Sequence, residues 1–267
     1  MSVADLTFEH WRALDHEAAA RHAREAARQV GGQLVHFDSA PHLDGRLHRA
    51  LVERAGQRFA LIPGGEVTVG FDPDAWQPLA EQLDSYRTES LRGGYGFDPD
   101  PRAHLAQFLT ARRTVTVPTL LIAVESQQLT ELPDRVPAAL AGQGLRLPSP
   151  DEWEHACGAG VATLFRWGDH CPLDSFPYGA GRGPQHQPNA FGLHIAYDVY
   201  QAEMTSDPAS VYGGDGGEAV CGGYGTFVQW LPLATANRNP AMAEFLNGPD
   251  GADMYEEFST RPVLELA

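Results

Sequence analysis

Glycine and proline punctuate this chain so densely that short elements, many turns and long ordered loops are expected along most of its length. There are 28 glycines and 20 prolines among 267 residues, and each tends to end a regular element or to bend one. A hydrophobic content of 43% is close to the globular average. A sizeable core is therefore expected, and wholesale disorder is excluded. The length fits one large domain, or one domain with an arm.

Charge narrows the partners. The chain carries 19 basic and 35 acidic side chains, a formal charge of −16, and every basic residue is Arg. This usage resembles the codon bias of a GC-rich bacterial genome, and it removes Schiff-base and phosphate-loop lysines from consideration. A surface this acidic argues against nonspecific nucleic-acid binding, which needs cations along the backbone, and against anionic membranes. No apolar run approaches the ~20 residues of a membrane span. Asp5 and Glu9 stand where a secretion signal would carry basic residues, so a cytoplasmic protein is expected. Three cysteines, Cys157, Cys171 and Cys221, are too few and odd in number for a disulfide framework.

The pattern predicts a helix from Thr7 to about Val30, stopped by Gly31-Gly32, and a second over Arg46–Arg54 with Leu47 and Leu51 on one face. Residues 1–55 thus read as an N-terminal helical arm, with a separate domain over 56–267. Histidines 10, 16 and 22, and again 36, 42 and 48, recur every six residues, a step of about 600° that scatters them around a helix instead of converging them on a metal. Strands are expected at 58–62, 66–71 and 114–124, the last bent at Pro118, with short helices near 74–83 and 101–109. Ser149-Pro150-Asp151-Glu152 reads as a helix start: an N-cap serine, a proline in the first turn and two acids at the positive end of the dipole. Residues 158–240 show little periodicity.

Several stretches, in order, resemble one family. They are Ile62-Pro63-Gly64-Gly65 with Val69-Gly70; Arg146-Leu147-Pro148-Ser149-Pro150-Asp151-Glu152-Trp153-Glu154-His155-Ala156; Phe165-Arg166-Trp167-Gly168-Asp169; Asn189-Ala190-Phe191-Gly192-Leu193; and Cys221-Gly222-Gly223-Tyr224. Over 58–240 the chain resembles the formylglycine-generating enzymes, or sulfatase-modifying-factor domain. The second block is close to that family's most specific signature, RLPTEAEWEYA. The resemblance implies an α+β, C-type-lectin-like fold, loop-rich with short mixed strands.

The resemblance also implies a chemistry, which the residues here do not follow. The family's namesake binds copper with two cysteines, since Cu(I) prefers soft thiolates. Counting the family's spacing from Cys221 falls on Phe227 and Pro232, and neither ligates, so copper–cysteine oxidation is not expected. Cys221 sits among glycines whose amides would favour a thiolate; the alternative is a small residue filling a tight turn. The family's structural calcium segment has Asp198 and Glu203 as its nearest equivalents, with one residue inserted; both also read as ordinary solvated acids. Trp230, Asn237 and Arg238 are candidates for lining a ligand cleft, against a core tryptophan and a structural ion pair. Segment 84–100, with Arg87, Arg92 and Tyr95, reads either as a loop that orders on a partner or as a solvated insertion. Three functions follow: an accessory module binding a protein or small molecule, an oxygen- or metal-dependent oxidoreductase acting on a peptide or natural product, or a surface-display binding module, which the expected lack of a secretion signal disfavours.

Overall fold

Two side-chain caps divide the first expected helix. Thr7 accepts from the His10 amide at 3.1 Å and starts α1, Phe8–Ala13. The backbone turns extended at Leu14, and Asp15 accepts from the Ala18 amide at 2.7 Å to start α2, His16–Gln29. α2 ends in a Schellman motif: Gly31 adopts φ 68°, the Gly32 amide donates to the Ala27 carbonyl at 2.8 Å, and the Gly31 amide donates to Arg28 at 3.2 Å. The computed structural model describes residues 2–179 and 183–267.

The expected helical arm is helical only as far as Gln29. Residues 33–54 instead form an antiparallel pair, β1 (Gln33–His42) and β2 (Gly45–Arg54), beneath the alanine stripe of α2. The helix expected over 46–54 is therefore a strand. His48, Ala50 and Val52 are its buried alternate positions; Leu47 is buried as well, and Leu51 only half-buried. A polar residue hid this period of two. His48 is buried because Ser39 Oγ lies 2.7 Å from its Nδ1 and the Leu14 carbonyl 2.9 Å from its Nε2.

β2 continues into β3 (Gln57–Ile62), so these strands share one sheet with the chain that follows. β4 (Gly65–Val69) leaves that sheet and pairs antiparallel with β5 (Arg113–Val117). Between them lie α3 (Ala80–Ser85), a π-helical turn over Tyr86–Ser90, and α4 (Pro101–Phe108). Pro118 breaks the next strand as expected, and β6 (Leu120–Ala123) returns to β3. After β7 (Gln127–Gln128) and α5 (Val136–Ala141) comes α6 (Pro150–Gly158). Ser149 and Glu152 close the two reciprocal bonds of a capping box on α6, and Trp153 is fully buried.

The remaining chain is mostly loop, with β8 (Glu203–Met204), β9 (Val211–Tyr212), α7 (Glu218–Cys221), α8 (Thr226–Trp230), α9 (Pro240–Asn247), β10 (Ser259–Thr260) and β11 (Val263–Glu265). Two sheets result beside the β4–β5 pair. The larger sheet runs β1-β2-β3-β6-β11 with every neighbour antiparallel; the smaller runs β7-β10-β8-β9, with β8 and β10 parallel. The protein is α+β and loop-rich. Its larger core lies against the five-stranded sheet, and a second core gathers Trp76, Tyr86, Leu105, Phe165, Phe227 and Trp230. Among the described residues no helix is long and apolar enough to cross a membrane.

Candidate ligand cavity

The second core does not fill its own edge. A cavity of about 390 Å³ opens there between α4, the start of α7, α8 and the turn that leads into α9. α4 is capped by Asp100, whose carboxylate accepts from the Arg102 amide at 3.0 Å, and carries Pro101 in its first turn. Its spacing sets His104 and Phe108 one turn apart on a single face, with ring centroids 4.8 Å apart. Both line the cavity, as do Phe97 and Tyr224, which meet edge-on at 5.3 Å.

The polar side is fixed by backbone. The Arg238 amide donates to the Phe108 carbonyl at 3.1 Å, the Thr110 amide donates to Ala236 at 2.9 Å, and Asn239 accepts from the Met242 amide to cap α9. This holds the Asn237-Arg238-Asn239 turn against the end of α4. Opposite, the Asp215 carboxylate accepts from the Gly217 and Ala219 amides, each at 2.9 Å, and so orders the turn that starts α7.

Burial sets the charge states. It pushes His104 down to about 4, so the imidazole is neutral at pH 7, and it pushes the Asp215 carboxyl up to about 6. Three residues of this wall each carry a buried polar atom without a partner: His104 at Nδ1, Asn237 at Oδ1 and Arg238 at Nε. Buried polar atoms nearly always find a partner, and leaving one without costs roughly 1–3 kcal/mol.

Of the residues singled out in the sequence, Asn237 and Arg238 line this cavity. Trp230 does not. It is fully buried in the second core, edge-on to Trp167 with centroids 6.3 Å apart. Cys221 ends α7, exposed and outside the cavity wall. Cys157 and Cys171 are buried, and burial pushes both thiols up to about 12. Segment 84–100 packs onto the chain. The Tyr95 hydroxyl donates to the Gly223 carbonyl at 2.8 Å, and Glu89 accepts from the Thr226 amide at 2.6 Å.

The calcium expectation meets a different chemistry. Glu203 is buried and accepts from Arg261 at 2.6 and 3.1 Å and from the Trp153 indole at 2.7 Å. Its oxygens are taken up by a protein cation, which corrects the reading of Glu203 as a solvated acid or an oxygen ligand. Asp198 caps its own turn by accepting from the Tyr200 amide at 3.0 Å. Among the described residues no group of three or more His, Cys, Asp or Glu side chains converges as a metal donor set.

His104, Phe97, Phe108 and Asp215 were not singled out in the sequence. A period-3.6 reading of 101–109 shows that His104 and Phe108 share a face. Nothing local shows that the face meets residues more than a hundred positions away. Scanned against protein-family models the chain matches none, and no curated protein matches it.

Proposed function

We propose that this chain is a divergent relative of the formylglycine-generating enzymes on a C-type-lectin-like framework, and that it works as an accessory module binding a small ligand in the 390 Å³ cavity. The observation that carries the reading is the wall itself: aromatic and aliphatic side chains stand beside His104, Asn237 and Arg238, each of which holds a buried polar atom with no partner. Small-ligand sites pair apolar walls with a few fixed polar groups in this way.

The family relation draws support from what the resembling residues do here. Arg146 grips Glu152 through two bonds of 2.7 Å, Trp153 donates to Glu203, and Asn189 donates to the Ala156 and Cys157 carbonyls at the end of α6. These are framework contacts, so the motif speaks for a fold and not for a reaction. Pro232, one of the two positions reached by the family's cysteine spacing, lies on the cavity wall. A copper–thiolate pair does not fit this wall, because none of the three cysteines lines it.

Fluorescence titration with 1-anilinonaphthalene-8-sulfonate tests the reading. Ala241 is exposed at the rim, so Ala241→Trp fills the mouth without entering the core. The wild type is expected to bind the dye saturably and the variant at least tenfold more weakly, with an unchanged melting temperature. Equal binding by both proteins overturns the cavity as the site.

A further inference from the structure

Opposite charges share this cavity without touching. Arg238, Asp215 and Glu218 all line it, yet no ion pair within 4.0 Å joins the guanidinium to either carboxyl. Asp215 spends its oxygens on backbone amides, and Glu218 accepts only from the Tyr224 hydroxyl at 3.2 Å. Two carboxyls share the cavity with this guanidinium, and neither pairs with it. Where arginines elsewhere in the fold do meet carboxylates, as Arg49, Arg113, Arg146 and Arg261 do, the two are in direct contact.

We propose that the cavity takes a free α-amino acid with an aromatic or large aliphatic side chain, its carboxylate on Arg238 and its ammonium between Asp215, Glu218 and the Asn237 carboxamide oxygen. This rests on the binding reading above and names its ligand class. A plain anion on Arg238 would sit beside two carboxylates, and a plain cation would sit beside an uncompensated guanidinium. A molecule carrying both charges a few ångströms apart satisfies each side and cancels the repulsion. Asn237 Oδ1 is an orphaned acceptor in a residue 6% exposed, and His104 Nδ1 is orphaned in one 1% exposed. An ammonium supplies donors for the first. The neutral imidazole, in either tautomer, meets one end of the zwitterion. Phe97, Phe108, Val228 and Leu231 receive the apolar side chain.

Calorimetric titration with four probes on the same ring separates the contributions: L-phenylalanine, 3-phenylpropanoate, 2-phenylethylamine and 2-phenylethanol. L-phenylalanine is expected to bind at least tenfold tighter than each of the others. Arg238→Gln is expected to erase its advantage over 2-phenylethylamine, and Asp215→Asn with Glu218→Gln its advantage over 3-phenylpropanoate, with melting curves confirming that both variants fold. If 3-phenylpropanoate or 2-phenylethanol binds as tightly as L-phenylalanine, the zwitterion is wrong and the cavity reading stands. If none of the four binds while the naphthalene dye still does, the ligand class is wrong. If neither the four nor the dye binds, both fall.

Discussion

Removing the Glu203 carboxylate will expose how much of this fold hangs on one buried ion pair. The Arg261 side chain is 0% exposed and that of Glu203 2%. Arg261 also donates to the Ala123 and Val124 carbonyls, at 2.8 and 2.6 Å, and to His194 at 2.7 Å. It thereby ties the end of β6 and the loop before β8 to the link between β10 and β11. Glu203→Ala leaves that guanidinium without its counter-charge and orphans the Trp153 indole as well. Breaking one partner of a buried pair costs roughly 3–5 kcal/mol. For a chain of this size 1 kcal/mol corresponds to roughly 2–4 °C, so the melting temperature is expected to fall by about 10 °C. Urea unfolding followed by tryptophan fluorescence gives the free energy directly. Glu203→Gln keeps an acceptor oxygen and is expected to lose roughly half as much. In a double-mutant cycle with Arg261→Met the two losses are expected to overlap by more than about 1 kcal/mol, because the second change removes the stranded charge. A Glu203→Ala loss below about 1 kcal/mol, or strict additivity in the cycle, refutes the assignment.

Three further outcomes follow from the same contacts. Asp215 titrates near 6 when folded and near 3.8 when unfolded, so its protonated form stabilises the fold at low pH and that contribution is lost as pH rises through 6, by roughly 3 kcal/mol. His104, depressed to about 4, acts with the opposite sign over nearly the same range and masks it. The difference between wild type and Asp215→Asn in urea titrations is therefore expected to swing by roughly 3 kcal/mol between pH 4 and pH 7, and parallel curves would contradict the buried carboxyl. Native protein treated with iodoacetamide at pH 7.5 is expected to label at Cys221 alone, and denatured protein at Cys157, Cys171 and Cys221 together, since only Cys221 is exposed. Mass spectrometry showing native labelling of Cys157 would contradict its burial. Ser149→Ala removes the hydroxyl that accepts from the Glu152 amide at 3.2 Å. It is expected to cost about 1 kcal/mol, read as a drop of roughly 3 °C in calorimetry.

The sequence by itself determined those parts of the protein whose causes are local. Thr7 and the glycine pair after Val30 mark the ends of the first helical segment, Pro118 breaks a strand, and Ser149-Pro150 opens α6, each through a hydrogen bond or a fixed dihedral within a few residues. The density of glycine and proline likewise foretold a loop-rich chain. Only the tertiary structure decided that residues 46–54 form a strand. There, Leu47 and Leu51 imitate a helical stripe, while the alternating buried positions run through His48, whose burial depends on Ser39 across the hairpin and on Leu14 from another element. The cavity is of the same kind. Asn237 and Arg238 carry chemistry that is visible in a string of letters, but His104, Phe108 and Asp215 become its walls only when α4 docks against the 236–239 turn and the start of α7. Glu203 was legible as an acid and illegible as the partner of Arg261, 58 residues away. The difference is one of range. Caps and turns are fixed by neighbours along the chain. The fate of a buried charge is fixed by whichever distant group the fold brings to meet it.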